Sequence, residues 1–257
     1  MGLIINVLGS GSSGNSILIS SGKTTLFIDA GFSAKNVKQR IEKLPFNLNN
    51  VNALILSHEH SDHSSGWQSW ARLFDVPVYM TPSTQNILQA TKKNKIIVNP
   101  FLVGSSFTIE DFKIHAFTIP HDAADPAAFI IQYKHHKIAI ATDLGYMPVS
   151  VKKYVSESDI IILESNHDIE MLKNGPYPWH LKQRIMSRQG HLSNDTVGAF
   201  IKECINEKCL FFFLVHLSRK NNTPELALTT SLANLNKKYP AKMILTYQDT
   251  ISETIEV

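Results

Sequence analysis

Between Ser57 and His63 the chain reads Ser-His-Glu-His-Ser-Asp-His, which places His58, His60, His63 and the carboxylate of Asp62 within six residues. A loop this rich in titratable groups gains no packing from them, whereas imidazole nitrogens and carboxylate oxygens are the donors a zinc-type cation takes at ~2.0–2.2 Å. Alternate residues of an extended segment point the same way, so His58 and His60 can reach one ion while Asp62 and His63 turn towards a second. Further ligands or acids end four other apolar runs: His121 after HAFTIP, Asp143 after IAIAT, Glu164 at the end of DIIILE and His216 at the end of FFFLVH. Two divalent ions ~3.5–4 Å apart lower the pKa of a shared water, so that a bridging hydroxide exists near neutral pH, and they bind the oxygens that gain charge in a displacement. Both effects suit attack on phosphorus or on a carbonyl, and ligation alone leaves the substrate open.

Strands must carry these residues to a common place. Short apolar runs predict strands at Leu3–Leu8, Ser16–Ser20, Thr24–Asp29, Val51–Ser57, Phe112–Pro120, Ala128–Tyr133, Lys137–Thr142, Asp159–Glu164, Leu210–His216 and Met243–Thr246. Helical spacing or capping signals mark Ser33–Leu44, Ser64–Phe74, Ser83–Ala90, Ser193–Ile205 and Pro224–Asn234. Lys134-His135-His136 turns one strand back to the next. The mixture predicts an α/β chain (α+β in some schemes) with sheets packed face to face and helices outside, and parallel strand ends open onto one edge where functional groups are held rigidly. No repeat or linker composition interrupts residues 1–257, so a single domain is expected. Gly175, Pro176 and Pro178 interrupt regular structure in Asn166–Arg188, the expected insertion or lid.

Composition sets outer bounds. With 43% hydrophobic and 18% charged residues and no Gly/Ser tract, the 257-residue chain is a compact protein rather than a disordered one. A formal charge of +3 permits an acidic substrate without indicating a surface that coats nucleic acid. The opening MGLIINVLGSGSSGNS has no basic n-region, and no apolar run approaches the ~18–20 residues of a membrane span, so a cytoplasmic location without membrane contact is expected. Cys204 and Cys209 are too few for a disulfide framework or a Cys-rich zinc site and read as packing residues. Oligomeric state is left open.

The His-x-His-x-Asp-His loop after a strand resembles the metallo-β-lactamase superfamily, and the resemblance covers nearly the whole chain. It implies a four-layer αββα sandwich with two metals at one edge: His58, His60 and His121 holding the first, Asp62, His63 and His216 the second, and Asp143 bridging them. The opening strand, the turn Gly9–Ser16 and Ile28-Asp29-Ala30-Gly31 also resemble the superfamily's N-terminal portion. Asp143 stands where zinc β-lactamases usually carry cysteine, which argues against that role. Glu164-Ser165-Asn166, Gly190-His191-Leu192-Ser193 and His216-Leu217-Ser218-Arg219 together resemble ribonuclease Z-like phosphodiesterases, and GHLSN, VHLSRKNNTPE and YPWHLKQRI resemble the YycJ/WalJ family. That implies DNA exonuclease activity of 5′ to 3′ character, with zinc or manganese, and with iron compatible. A small cyclic-phosphate or nucleotide phosphodiesterase like the PhnP proteins, a glyoxalase II-like thioesterase, and a binding protein that retains its metals without turnover are the alternatives.

Asp62 and Asp143 are thus expected catalytic ligands. Glu164 and His191 lie outside the ligand set, and Glu164 ends a strand while His191 follows a glycine at a helix start. That placement makes them candidates for a dyad protonating the leaving oxygen, a pairing the resemblance also implies; a capping contact with a structural histidine is the other reading. Arg184, Trp179 and Ser218 are candidate substrate contacts: Arg184 can fork onto phosphate and Trp179 can stack on a base. For Lys182, Arg184 and Arg188 together, a solvated helical face is the competing reading. Glu59 should point away from the metals, His115 reads as packed or surface, His135 and His136 as solvated in the turn, and His167 and His180 as lid residues open to substrate. The turn Gly9–Asn15 could present N–H groups to phosphate or be a tight turn only.

Overall fold

The computed structural model describes residues 2–45, 48, 50–89 and 95–257. It contains two mixed sheets flanked by helices. The chain forms two compact units: Met1–Thr118 with Ala123–Ala127 and Tyr247–Val257, and Ile119–Asp122 with Ala128–Thr246. Among the described residues, no helix is long and apolar enough to cross a membrane.

The first unit is built on β1 (Ile4–Gly9), β2 (Ser16–Ser20), β3 (Thr25–Ile28), β4 (Ala53–Ile55), β5 (Val78–Met80), β6 (Val98–Pro100) and β14 (Ile255–Glu256), in the order β14-β1-β2-β3-β4-β5-β6. The first three strands pair antiparallel and β3 to β6 run parallel. A hairpin of β7 (Ser106–Ile109) and β8 (Phe112–Thr118) belongs to the same unit. Ser33 caps α1 (Ala34–Ile41) by accepting from Asn36 N–H. Helix α3 (Trp67–Phe74) turns Trp67, Trp70 and Ala71 inward, where Trp70 meets Phe27 of β3 edge-on at 5.2 Å and donates through Nε1 to the Phe32 carbonyl at 2.7 Å. This buried indole joins the helix to the strand that leads into Asp29.

In the second unit β9 (Ala127–Tyr133), β10 (His136–Ala141), β11 (Ile160–Glu164), β12 (Phe211–Val215) and β13 (Lys242–Leu245) follow the order β13-β12-β11-β10-β9. The pair β9 and β10 is antiparallel across a two-residue turn, Lys134 and His135, while β10 to β13 are parallel. His136 is therefore the first residue of β10 rather than part of the turn. The near-continuous apolar runs of β10, β11 and β12 are buried, as strands covered on both faces require. Helices α5 (Val149–Ser156), α8 (Asn194–Cys204) and α9 (Pro224–Asn234) lie in the same unit, the last two capped by Ser193 and Thr223.

Several expectations need correction. The helix predicted from Ser64 to Phe74 is two, α2 (Ser61–Ser64) and α3, with Ser65 and Gly66 between them, and the Phe32 carbonyl, 2.0 Å from where a Cβ would stand, leaves room only for glycine at 66. The helix predicted to reach Ala90 is α4 (Pro82–Ile87), and Ala90 itself lies outside the described residues. The expected lid holds α6 (Ile169–Asn174) and α7 (Trp179–Ile185): Gly175 and Pro178 bound these helices instead of breaking them, and Leu172, Lys182 and Ile185 are buried. Strands β5, β6, β7 and β14 and helix α5 carry too few periodic apolar positions to be predicted.

Gly31 is the tightest point behind the loop at 57–63. A Cβ there would overlap the Asp62 carbonyl and lie 2.6 Å from the amide nitrogen of Asn15. Gly31→Ala should lower unfolding free energy by ~1–3 kcal/mol, the usual range for overpacking, in urea titration. An unchanged midpoint would show that the loop yields freely.

Candidate metal centre

Within the first unit, β4 leads into an extended loop and the one-turn α2, which together carry four of the expected ligands. His58 and His63 are fully buried, His60 and Asp62 half-buried. The His58 ring centroid lies 4.7 Å from that of His60 and 4.3 Å from that of His63. Asp29, just past β3, organises them. One of its oxygens accepts from Ser57 N–H at 2.8 Å, and the other accepts from the Ser57 hydroxyl at 2.9 Å and faces His63 Nδ1 at 2.7 Å.

These contacts fix protons. An ionised carboxylate only accepts, so His63 carries its proton on Nδ1 and has its lone pair on Nε2. The Ser57 hydroxyl gives its one proton to Asp29, so at 2.9 Å it accepts from His58 Nδ1, and His58 also has its lone pair on Nε2. Asn15 agrees with this assignment. Its Oδ1 accepts from the Ser10 hydroxyl and Gly11 N–H, which turns Nδ2 to within 3.1 Å of His63 Nε2 and 3.3 Å of Asp62 Oδ2. The turn at Gly9–Asn15 thus holds two candidate ligands, His63 and Asp62, in place. Glu59 points elsewhere, accepting from Ala124 N–H at 2.8 Å and from the Thr84 hydroxyl at 3.5 Å.

In the second unit Asp143, Glu164 and His216 stand at the C-terminal ends of β10, β11 and β12, and His191 lies two residues before the Ser193 cap of α8. Asp143, Glu164, His191 and His216 each offer a ligand atom, all within 4.8 Å of one another. His121 Nε2 lies 3.9 Å from Asp143 Oδ1. Its Nδ1 lies 3.1 Å from the Gln189 carbonyl, an acceptor only, so here too the lone pair is on Nε2. Glu164 is fully buried; Oε1 accepts from Leu144 N–H at 2.6 Å and Leu192 N–H at 3.0 Å, while Oε2 faces His191 Nδ1 at 3.0 Å and His216 Nδ1 at 3.3 Å. Burial alone would raise this carboxyl. The His191 imidazole, by charge and hydrogen bond, together with the bond from His216, instead holds it down at about 2. Burial lowers His121 against the opposing pull of Asp143, a shift that favours the neutral imidazole.

The backbone is specialised where these strands end. Asp29, Asp143 and His216 all have left-handed φ, at 64°, 62° and 56°. Such residues cost on the order of 1–3 kcal/mol and persist where their surroundings over-determine them. At His216 the surroundings are amides: Asn166 Nδ2 donates to the His216 carbonyl at 2.9 Å, and Asn222 Nδ2 donates to the carbonyls of Ser165 and Asn166 and to Asn194 Oδ1. Sequence reasoning misses Asp29, Ser57, Asn15 and this amide network as site residues. Their signal is faint: polar residues directly after apolar strands, at positions that supply no metal ligand of the resembled set.

Segment 179–190 is a strut. The Arg184 guanidinium bonds Asp122 at 2.5 Å, Lys182 Nζ donates to the Lys173 carbonyl at 2.7 Å, and the Arg188 guanidinium lies 4.2 Å over the Tyr146 ring. The solvated-face reading therefore fails for Lys182, while Arg184 and Trp179 are exposed. The Ser218 hydroxyl accepts from Asn221 N–H at 3.2 Å and is not in the ligand cluster. His180 is exposed, and His115 pairs with the Ser106 hydroxyl at 3.0 Å. Cys209 is buried and its thiol is pushed up to about 12, which makes it inert.

A β-lactamase superfamily domain matches residues 24–212. The chain is 36% identical over 229 residues to exodeoxyribonuclease YycJ of Bacillus anthracis, covering 88% of this chain and 87% of the relative. It is 32% identical over 239 residues to exodeoxyribonuclease WalJ of Streptococcus pneumoniae, covering 91% and 89%. The metallo-β-lactamase fold protein YhfI of Bacillus subtilis superposes with a TM-score of 0.73 at 17% identity over the whole of both chains, which fixes the fold as that α/β sandwich.

His167 gives a stability test separate from the ligands. Its Nδ1 is buried without a hydrogen-bond partner among the described residues, and burial holds the imidazole down at about 4 against the pull of Glu164. As pH falls below ~6.5 the unfolded chain takes up this proton first, so stability is lost from ~6.5 down to ~4, on the order of 3 kcal/mol in all. Urea unfolding in chelator at pH 7.5 and 4.5 should show His167→Asn losing ~2–3 kcal/mol less than the parent. Equal losses would place the neutral-imidazole penalty elsewhere.

Proposed function

The chain belongs to the metallo-β-lactamase superfamily, and from that premise we propose that it is a two-metal phosphodiesterase that degrades DNA from an end in the 5′ to 3′ direction. Membership makes it a metal-dependent hydrolase, and its clustered His and Asp residues suit divalent cations. The finer reading assigns His58, His60 and His121 to one ion, Asp62, His63 and His216 to the other, and Asp143 to both, with zinc or manganese as the ions and iron compatible.

The observation that carries this reading is the set of hydrogen-bond contacts behind the rings. His58, His63, His121 and His216 each direct Nδ1 at a fixed oxygen, which leaves Nε2 for a cation, the arrangement that orients histidine ligands in metal sites generally. The donor set therefore fits the two ions. Bound there, they supply Lewis acidity, providing a hydroxide nucleophile near neutral pH and neutralising charge on the phosphate.

The chain's own groups supply the remainder. Phosphodiester cleavage expels an alkoxide, which needs a proton. Glu164 holds His191 through Nδ1, so Nε2 of the imidazolium is the atom that hands a proton to the leaving oxygen, a contribution of ~10²–10⁴-fold. Arg184, already placed beside Asp122 next to the ligand His121, moves between that carboxylate and a substrate phosphate, and exposed Trp179 and the Ser218 loop extend the contact surface. The named activities of the YycJ and WalJ relatives support DNA as the strand.

Elemental analysis should find about two transition-metal ions per chain, and Asp143→Ala should lose both metal affinity and turnover. Fewer than one ion, with no activation on adding metal, would contradict the two-metal reading. His191→Ala should retain its metals yet lose ~10²–10⁴-fold on an alkoxide-leaving diester and far less on bis-p-nitrophenyl phosphate, whose leaving group needs little protonation. Equal losses would remove the acid role. Linear labelled DNA should be shortened while a covalently closed circle persists, and equal cutting of the circle would make the enzyme an endonuclease.

A further inference from the structure

The loop that carries His58, His60 and His63 has a second face. Glu59 turns from its neighbouring histidines to Ala124 and Thr84, and Ser61, between His60 and Asp62, is exposed. That face opens on a cavity of about 520 Å³, within the first unit, whose walls include Glu59, Ser61, Gln68, Ser69, Arg72 and Leu88. Its volume falls in the ~300–1,000 Å³ range of small-ligand sites.

The lining selects the occupant. Arg72 is exposed and donates to the neutral side-chain oxygen of Gln68 at 3.3 Å. A guanidinium so placed takes a phosphate oxygen. The Gln68 amide and the Ser61 hydroxyl match the mixed donors and acceptors of a base edge or sugar, and Ser69 Oγ, which donates to the Gly66 carbonyl at 2.8 Å, adds an acceptor. Leu88 offers an apolar surface to the flat face of a base, and Glu59 retains acceptor capacity for an exocyclic amine. A purely apolar ligand would strand these polar groups, and a multiply charged anion would meet the carboxylate of Glu59.

We propose that this cavity is a deoxynucleotide subsite, which receives a nucleotide of the substrate strand adjacent to the phosphodiester held at the ligand histidines. The proposal rests on the nuclease reading above. Its structural basis is the loop they share: Ser61, which lines the cavity, lies in the sequence between the candidate ligands His60 and Asp62. The contacts would be to phosphate and to many base edges alike, giving strand affinity with little sequence preference.

Two variants of the full-length, metal-loaded protein test it: a Gln68→Leu, Arg72→Ala pair, and Ser69→Trp, which fills the cavity. Each is compared with the parent for kcat/KM on a single-stranded decamer and on bis-p-nitrophenyl phosphate, and for calorimetric binding of deoxyadenosine 5′-monophosphate. The expected result is a fall of at least tenfold in the decamer-to-diester ratio, with nucleotide binding weakened alongside. A ratio equal to the parent's overturns the subsite, and weakened nucleotide binding with an unchanged ratio does so too by marking a site for free nucleotide. If the parent turns over neither substrate, the nuclease reading fails. The nucleotide titration then decides the cavity alone: binding that both variants abolish upholds a nucleotide site, and absence of binding overturns it. Circular dichroism confirms folding of the Ser69→Trp variant, and the paired substitution introduces no bulk.

Discussion

A histidine presents a lone pair to a cation through one nitrogen only when the other holds the proton, and that constraint organises this molecule. Asp29 sets it for His63 and, through the Ser57 hydroxyl, for His58; the Gln189 carbonyl sets it for His121; Glu164 sets it for His216. Each of these oxygens is fixed by backbone geometry, just beyond or at the end of a strand or in the strut at 179–190. Remove the acceptor and the ring can turn over or exchange its proton, even with every ligand still present. Under the two-metal reading, the oxygens behind the rings matter as much as the ring nitrogens they orient.

Holding such oxygens in a buried site is expensive, and the surrounding hydrogen bonds offset that cost. Asp29, Asp143 and His216 adopt left-handed backbone, and Glu164 and Asp143 are buried carboxylates. Hydrogen bonds to charged groups contribute ~1.5–3 kcal/mol each, so two backbone N–H donors on Glu164 and two contacts from Ser57 on Asp29 are of the right size to hold them. The Asn166, Asn194 and Asn222 amides brace the chain on either side of His216, and Trp70 anchors α3 against the strand that delivers Asp29. Those parts of the core and network read as structural in isolation. Their arrangement is explained by the ends of the strands they support.

Much of this is legible in the sequence because metal ligation uses rare residue types at strand ends. The loop at 57–63 and the residues that close β10, β11 and β12 stand out against apolar runs, and well-capped helices such as α8 and α9 declare themselves through Ser193, Thr223 and Pro224. What stays hidden has no periodicity or no rare chemistry. Strands of three residues such as β5 and β6 contain too few alternations to register, and their state is decided by neighbours on the sheet. The run after Asn166 misleads for another reason: Gly175 and Pro178 read as breakers of one element when they delimit two. Asp29 and Gln189 are invisible as site residues, the first because a lone aspartate after a strand is common, the second because it acts through its carbonyl, which any residue possesses.

If the oxygens behind the rings set the imidazole protons, they do so before any cation arrives. Two-bond ¹H–¹⁵N correlation spectra of the metal-free, ¹⁵N-histidine-labelled protein near pH 8 report each ring's tautomer directly. His58, His63, His121 and His216 should all show a protonated Nδ1 and a bare Nε2, and Asp29→Ala should release His63 to a mixture. Rings that sit predominantly as the Nε2–H form in the parent would overturn this assignment of the protons.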